Sequence, residues 1–370
     1  MLTKKQILEV REHLEKAQNP VFFFDNDADG LCSFLLLQRY IGRGKGVAMK
    51  SADSGNYFKK VQELNADYIF ILDKPVVSEK FFEEVRQINI PVVWIDHHDM
   101  GNEIPDFVNY YNPLLNKGKT NEPVVEICYR ITGRKDDLWI AVVGCIYDHF
   151  IPDFYLEFME KYSELGIDSD NVKEIYFKSL IGKIARIFNA ALKDRTTNVV
   201  RMLKFLAKAK TPYDVLEENS KNQTMHEKFN EIEGRFQRLL EKAGENVEGK
   251  ILFFQYGGET SISSDLSNGL RYKFPDKIIV VIYVSGEKVN ISIRGENVRE
   301  IVLEVIKDLE GATGGGHEKA VGVRVKVKDI EKFKERFAEL VEERHPRVHP
   351  KNFRRRFLLG AKSINRVNSK

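Results

Sequence analysis

Three continuous apolar runs, each ending directly in an aspartate, most restrict the folds open to this chain. They are VFFF before Asp25, YIFIL before Asp73 and PVVWI before Asp96. Unbroken apolar runs are typical of strands that helices cover on both faces of a parallel sheet. The sequence therefore predicts an α/β domain with a parallel β-sheet flanked by helices. Since the carboxyl ends of such strands form the ligand crevice, the three aspartates are expected to lie close together.

A fourth apolar run, WIAVVGCI, has two interpretations. It lies just before Tyr147 and Asp148. It fits either another buried strand or a buried helix, because periodicity does not distinguish short apolar segments. Under either interpretation, Asp148 follows a buried element.

The rest of the chain indicates a second domain, since 370 residues exceed what one hydrophobic core usually organises. From about residue 154 the pattern is largely helical, and strand-like segments return at ILFFQY, KIIVVIYV, VNISIR and AVGVRVKV. These patterns predict an N-terminal domain at 1–190, a helical connector at 191–247, a smaller α/β domain at 248–343 and a basic tail at 344–370. The tail contains nine Lys or Arg residues and no acid. It suits a nucleic-acid backbone or an acidic protein partner, and equally a solvated tail.

The overall composition argues for an intracellular protein. A net charge of +3 is too small to indicate nucleic-acid binding by the chain as a whole. Cys32, Cys128 and Cys145 are odd in number and lack metal-binding spacing, so they are expected to be reduced core residues. The charged amphipathic start and the lack of any run of about 18 apolar residues predict a cytoplasmic protein that does not enter a membrane.

The loop Asp25-Asn26-Asp27-Ala28-Asp29 places three carboxylates close together after a strand. Their mutual repulsion is costly unless cations neutralise them, so a metal site is the simplest interpretation. The alternative is an acidic turn whose last acid caps the following helix.

Two histidine-containing motifs add to this set. In Asp96-His97-His98, adjacent side chains at a strand end point to opposite sides, so one imidazole can bind metal while the other faces a substrate. Imidazole and carboxylate together suit manganese, zinc or iron better than magnesium alone. In GATGGGHEKAVG, glycines let the backbone approach a phosphate closely beside His317. By itself, the first motif is more often a surface feature and the second a flexible turn.

The motifs occur in an order that resembles the DHH phosphoesterase family with its C-terminal DHHA1 domain. The series runs from Asp25, Asp27 and Asp29 through Asp73, Asp96-His97-His98 and Asp148 to Gly314-Gly315-Gly316-His317. The resemblance implies two divalent metal ions, Mn²⁺ preferred and Mg²⁺ as the alternative, and hydrolysis of phosphodiester bonds.

The resemblance also implies a role for each residue. Asp73 bridges the two metals, and the implied metal ligands are Asp25, Asp27, Asp29, Asp73, His97 and Asp148, of which Asp25 is the least certain. Asp96 orients His97, and His98 faces the phosphate, so the implied catalytic set is Asp73, Asp96, His97 and His98. The implied substrate-binding residues are His98, Arg294, Gly314, Gly315, Gly316 and His317. Catalysis is expected where the two domains meet.

Phe23 indicates which branch of the family the chain resembles. Many members have a histidine four residues before the first paired aspartate, and the branches that act on small oligonucleotides and cyclic dinucleotides usually keep it. Phe23 stands at that position here, which favours the RecJ-like branch and an exonuclease on single-stranded DNA or RNA. Among archaeal RecJ-like proteins, the chain resembles the Hef-associated nuclease type of Thermococcales. This resemblance implies 3′ to 5′ polarity and a role in the repair of stalled forks. It also implies a Hef-type helicase/nuclease as a partner.

RecJ itself degrades 5′ to 3′, so the residues do not decide polarity.

Two other functions stay open at this point. A nanoRNase or cyclic-dinucleotide phosphodiesterase uses the same metal site on very short substrates. A Cdc45-like protein has the same ancestry but serves as a catalytically inactive replication scaffold.

Overall fold

The computed structural model describes residues 1–50, 56–99, 103–245 and 247–344, apart from the side chains of Asn56 and Lys288. The chain divides into two compact units, the first at Met1–Glu233 and the second beginning at Gly234. The predicted basic tail lies outside the described residues, except for Arg344.

The first unit contains a five-stranded sheet in which every strand pair is parallel. This confirms the predicted fold class. The spatial order is second, first, third, fourth, fifth. The strands are β1 (Pro20–Asp25), β2 (Lys45–Met49), β3 (Tyr68–Leu72), β4 (Val92–Ile95) and β5 (Val108–Tyr111).

In the part of the chain that the structure describes, twelve α-helices accompany this sheet or follow it. They are α1 (Lys4–Lys16), α2 (Ala28–Ile41), α3 (Asn56–Glu63), α4 (Glu79–Ile88), α5 (Val124–Thr132), α6 (Leu138–Tyr147), α7 (Tyr155–Lys161), α8 (Val172–Lys178), α9 (Leu180–Ala191), α10 (Thr196–Leu206), α11 (Pro212–Leu216) and α12 (Gln223–Ala243). Helix α12 crosses the boundary between the two units.

The apolar strands are buried on both faces, as their sequences predict. Phe23 packs in the core on the side of α3 and α4, with its ring edge-on to Tyr57 and Phe81. Its neighbours Phe22 and Phe24 point to the other side and contact Phe34 of α2. Phe23 is therefore a core residue on the side of the sheet away from α2.

The WIAVVGCI run forms helix α6, so the helical interpretation is confirmed. The helix contacts α2, α5 and α9, and every residue from Leu138 to Ile146 is buried. A helix surrounded by other helices is apolar on all sides, which explains why its sequence shows no helical periodicity.

The second unit has a mixed five-stranded sheet. Its order is β6-β7-β8-β10-β9, with β6 and β7 parallel and the other pairs antiparallel. The strands are β6 (Ile251–Gly257), β7 (Ile278–Ser285), β8 (Lys288–Arg294), β9 (Thr313–His317) and β10 (Ala320–Lys326), and the helices are α13 (Ser263–Lys273), α14 (Val298–Lys307) and α15 (Ile330–Arg344). The GGGH segment is thus an exposed edge strand.

Two predictions from composition can be compared with this structure. Cys32, Cys128 and Cys145 are unpaired and buried in the first unit. Among the described residues, every helix is too short or too polar to cross a membrane.

Candidate metal centre

The candidate site lies where the strand order of the first sheet reverses, between β1 and β3. Asp25 is the last residue of β1, whereas Asp73 and Asp96 directly follow β3 and β4. In open parallel sheets this reversal leaves a crevice at the carboxyl ends of the strands. The sheet therefore brings together aspartates that are far apart in the sequence, as predicted.

Among the described residues, two groups of three side chains have the geometry of a metal site. One group is Asp73, His97 and His98, and the other is Asp29, His97 and Asp148; within each, one ligand atom per residue lies within 4.8 Å of the others. Nε2 of His97 lies 3.4 Å from Oδ1 of Asp73. His97 belongs to both groups, so the two candidate positions adjoin each other.

The backbone and side chain of Asp73 fit a cation. The backbone of Asp73 is left-handed, with φ 58°. Its N–H donates to Ile95 O at 3.0 Å, which helps to stabilise this conformation. Its Oδ1 is buried and has no hydrogen-bond partner among the described residues. A buried carboxylate oxygen without a donor is unfavourable unless a cation balances it. Carboxylates and imidazoles together suit divalent transition metals such as Mn²⁺.

Asp29 is held in place by the start of helix α5. Its carboxylate accepts hydrogen bonds from the backbone N–H groups of Val124 and Val125, at 3.1 and 2.7 Å, and from Ser33 Oγ at 3.1 Å. These donors leave lone pairs on a carboxylate that has about four acceptor positions. The carboxylate is thus oriented by protein donors and still able to bind a cation.

The other two acids of the loop have partners within the protein. Oδ1 of Asp27 accepts from Gly30 N at 3.0 Å and caps helix α2, so the acid that caps the helix is Asp27 and Asp29 lies in the first turn. Oδ1 of Asp25 lies 2.6 Å from Nζ of Lys74. Neither Asp25 nor Asp27 belongs to the two groups above.

Asp96 bonds to a different histidine from the one predicted. Its Oδ1 lies 2.8 Å from Nδ1 of His98, whereas the resemblance implied that it orients His97. Residues two apart in an extended segment point to the same side, which brings Asp96 towards His98. Tyr110 Oη donates to the other Asp96 oxygen at 3.2 Å, and Asn112 Nδ2 donates to both Tyr110 Oη and the His98 carbonyl.

Burial and mutual repulsion raise the pKa values of the acids. The pKa of Asp27 is raised to about 7 by burial and by the charges of Asp25 and Asp29. The pKa of Asp29 is raised to about 8 by burial and by Asp148. The pKa of Asp73 is well above its usual range, because of burial and the charges of the neighbouring acids. The site therefore has an excess of negative charge that a divalent cation would relieve.

Two further groups show the balance of these effects. The pKa of Asp148 is raised to about 7 because protein atoms surround its carboxylate and because Asp27 is charged, although the residue as a whole is exposed. Burial lowers the pKa of His98, but the hydrogen bond to Asp96 and the charges of Asp96 and Asp148 outweigh this effect and raise it. A charged His98 can donate a hydrogen bond to an anion.

The predicted substrate residues of the second unit share one face of its sheet. Arg294 is opposite Ala320, which is opposite His317 on β9. Directly paired residues point to the same side, so Arg294 and His317 flank a small alanine about 10 Å apart. Arg294 is fixed by α13, since its Nε donates to Asn268 Oδ1 at 2.6 Å and its Nη2 to Ser264 Oγ at 3.0 Å.

The glycines of the predicted phosphate segment are exposed along β9. Gly316 has φ 137°, and a Cβ atom there would lie 2.4 Å from Ala320 O. Gly315 has open space where its Cβ atom would be. The backbone of this edge strand is thus accessible, with only Gly316 required for conformational reasons.

Sequence reasoning missed Lys74, Tyr110 and Asn112. Lys74 directly follows Asp73, and Tyr110 and Asn112 lie on and just after β5. Lys74 lies beside a predicted strand end, which was its only signal. Strand β5 was not predicted, so no sequence pattern indicated Tyr110 and Asn112, whose contacts depend on how the strands align in space.

The comparisons with known proteins agree with the fold of the two units. Residues 21–152 match the N-terminal domain of the DHH family, and residues 246–343 match the DHHA1 domain. No curated protein sequence is similar enough to the chain to be counted as a match.

Many solved structures are similar, and three illustrate the shared fold. RecJ from Thermus thermophilus in complex with Mn²⁺ has a TM-score of 0.65 and 16% identity, with 92% of this chain and 55% of that chain covered. The exonuclease RecJ bound to manganese has a TM-score of 0.58 and 16% identity, with 90% and 92% covered. CDC45 from Entamoeba histolytica has a TM-score of 0.54 and 10% identity, with 90% and 98% covered. The chain thus spans about half the length of the Thermus RecJ.

Proposed function

We propose that the chain, whose residues 21–152 and 246–343 match the DHH and DHHA1 domains, is a manganese-dependent exonuclease acting on single-stranded DNA or RNA. The observation that carries the proposal is the Asp73 carboxylate, whose Oδ1 is buried without a hydrogen-bond donor among the described residues and lies beside His97. A protein that served only as a scaffold has no need for such an oxygen at this position, since it is unfavourable in the absence of a cation.

The residues that would hold the metals are Asp29, Asp73, His97 and Asp148, with His98 close to Asp73 and Asp27 beside them. Divalent cations at such a site supply Lewis-acid activation of water and of the phosphoryl group. The protein contributes orientation, since helix α5 fixes Asp29 and the Ile95 carbonyl fixes the backbone of Asp73. Preorganised ligands of this kind spare the enzyme reorganisation during the reaction.

His98 is the side chain of this centre best placed to contact the substrate. It is the more exposed of the two histidines, and Asp96 holds its Nδ1. When the ring is protonated, its other nitrogen, Nε2, can also donate a hydrogen bond to a phosphate oxygen. In the second unit, Arg294 and His317 supply further donors for phosphates, with Arg294 preorganised by Asn268.

Polarity and biological context are part of the same proposal. The Phe23 position and the three-acid loop favour the RecJ-like branch, for which we propose 3′ to 5′ degradation in the repair of stalled forks. A Hef-type helicase/nuclease stays a predicted partner. The similar RecJ structures contain manganese or magnesium, which supports a divalent metal ion. We propose Mn²⁺ because imidazole stands among the candidate ligands.

The test is digestion of single strands labelled at the 5′ or the 3′ end, as DNA and as RNA, with Mn²⁺ or with EDTA. We expect Mn²⁺-dependent release of mononucleotides from the 3′ end, and no release by Asp73→Asn. A 5′ start would correct the polarity and leave the enzyme class intact.

Two other outcomes would select the alternative functions. Cleavage of dinucleotides but not of long strands would show a nanoRNase or cyclic-dinucleotide phosphodiesterase. The absence of Mn²⁺-dependent hydrolysis with every substrate would refute the nuclease and favour the Cdc45-like scaffold, whose fold the chain shares.

A further inference from the structure

A groove in the first unit begins beside the acidic loop and is not used by the metal centre. Its first part is a cavity of about 370 Å³ lined by β2, the edge strand of the sheet, and by helix α10. The walls are apolar and include Phe34, Val47, Val199 and Leu203. A cavity of this size is at the lower end of the range for ligand sites.

The rim of this cavity is basic. Lys45 and Lys50 lie on one side and Lys204 on the other, and all three are exposed. Lys60 also lines the cavity, but Glu63 neutralises it. Among the residues that the structure describes, no carboxylate lines this cavity. Apolar walls under a cationic rim suit a ligand that has both flat apolar groups and negative charges.

Asn26 connects the cavity to the metal centre. It lines the cavity and lies between Asp25 and Asp27 in the sequence. Its Oδ1 is buried and has no hydrogen-bond partner within the described part of the chain. A buried amide oxygen of this kind normally has a partner, so a donor group on a ligand would complete the site.

A second cavity, of about 710 Å³, continues from the first beyond Lys204, which lines both. Its basic residues include Arg201, Lys208 and Lys210, and Phe205 contributes an aromatic surface. Its one acid among the described residues, Asp214, already accepts the backbone N–H groups of Lys210 and Thr211 at 2.7 and 2.9 Å. We call the two cavities together the α10 groove.

Helix α10 arranges these charges in a line. Arg201 and Lys204 are three residues apart and so share one face of the helix, beside the exposed Val200. The helix has 11 residues and is therefore about 16 Å long. The groove extends past its end to Lys208 and Lys210, so it is longer than a mononucleotide.

We propose that the α10 groove binds the part of a single-stranded polynucleotide that lies away from the bond being cut. The phosphates would contact the lysine rim, and the bases would lie against the apolar walls and Phe205. Proteins that bind single strands combine a basic groove with apolar and aromatic surfaces in this way. The inference rests on the proposed function, and it predicts a substrate longer than a dinucleotide.

An acidic peptide is the main competing occupant. The continuity of the groove with the loop that contains Asp25 and Asp27 favours nucleic acid, because a bound strand must pass from the metal centre to a surface beyond it. The edge strand β2 offers backbone groups to either ligand, so it does not decide between them.

The test measures binding separately from cleavage. Fluorescence anisotropy of the full chain is recorded with labelled oligothymidylate of about 20 nucleotides, longer than one site of this class covers, in EDTA at several salt concentrations. The variants are Lys45→Glu, Lys204→Glu and their combination. The matched control is Lys80→Glu, which makes the same charge change at an exposed position of α4.

We expect each groove variant to weaken binding about tenfold and to lower the salt slope by about one, while Lys80→Glu binds like the wild type. All variants should keep the Mn²⁺-induced rise in melting temperature, since none of the three lysines belongs to a metal-capable group. Binding by the groove variants equal to that of the wild type would overturn the inference, as would an equal loss in Lys80→Glu. The inference would also be overturned if the wild-type chain did not bind oligothymidylate.

The two proposals can fail separately. Wild-type chain that binds the strand through the groove but never cleaves it would refute the exonuclease and leave the groove standing. A chain that degrades strands but binds them equally well with Lys45→Glu and Lys204→Glu would refute only the groove.

Discussion

Nζ of Lys74 lies 2.6 Å from Oδ1 of Asp25, so the first acid of the DNDAD loop has its counter-charge within the protein. Lys74 is almost fully buried and also donates to Met49 O at 3.3 Å. The backbone of Lys74 is fixed in turn by Trp94, whose Nε1 donates to its carbonyl at 3.0 Å. This ion pair distinguishes Asp25 from Asp29 and Asp73. In the contacts described, no lysine or arginine offsets the repulsion between Asp29, Asp73 and the acids around them.

Asp25→Asn and Asp73→Asn should therefore differ in metal binding. We expect Asp25→Asn to weaken Mn²⁺ binding about tenfold, the lower end for residues next to the metal ligands, and Asp73→Asn to abolish it. Asparagine tolerates the left-handed backbone at position 73, so the fold should persist. Isothermal titration with Mn²⁺ measures both, with the exposed Asp136→Asn as control. Equal losses of Mn²⁺ affinity in the two variants would show that Asp25 is itself a metal ligand.

The stability of the metal-free protein should fall as the pH rises. The pKa values of Asp27, Asp29 and Asp148 are raised to about 7, 8 and 7, above about 4 in an unfolded chain. Between about pH 4 and 8 the folded state thus binds more protons than the unfolded state, and the free energy of unfolding decreases with pH. Urea unfolding in EDTA at about pH 5 and about pH 8 measures this.

Mn²⁺ should reverse this trend, because it replaces the protons and binds more tightly as they leave. The same unfolding series with saturating Mn²⁺ is the comparison. If stability in EDTA instead rose steadily over this range, the acids would not be in the repulsive arrangement described.

Arg294→Ala should weaken substrate binding without affecting the metals. Arg294 is held by Asn268 and Ser264 of α13 in the second unit, and it belongs to neither metal-capable group. We expect KM for a single strand to rise about tenfold, the loss of one charge-assisted contact, with the Mn²⁺-induced shift in melting temperature retained.

Arg336→Ala is the control for this variant, since α15 packs on the other face of the same sheet. His317→Ala should behave like Arg294→Ala. Loss of Mn²⁺ binding in either variant would mean that the residue contributes to the metal site.

A buried ion pair away from the site should be important for stability. Asp137 is fully buried, and its carboxylate lies 2.8 Å from Nη2 of Arg39 and 2.8 Å from Nε of Arg134. Asp137→Ala leaves the Arg39 guanidinium buried without its counter-charge, so we expect a loss of about 3–5 kcal/mol in the free energy of unfolding. Asp136→Ala at the neighbouring exposed position should change it little. A loss at position 137 equal to that at 136 would contradict this account.

Much of the fold and several members of the metal-capable groups were predicted from the sequence, whereas strands β2 and β5 were not. The strands ending at Asp25, Asp73 and Asp96 were predicted because an unbroken apolar run reports burial on both faces wherever it occurs. The clustering of the aspartates followed from a general property of parallel sheets. Both signals are local or topological, so one sequence contains them.

The tertiary structure alone decided the remaining features. It made WIAVVGCI a helix, paired Asp25 with Lys74, directed Asp96 to His98 and placed GGGH on an edge strand. Each depends on which elements pack together and on which way a side chain points, and these are set by the summed contacts of distant segments. The sequence by itself determined which side chains have the chemistry to bind a metal, because that depends only on residue type. The packing of the strands and helices determined which of them come together and which have another partner within the protein.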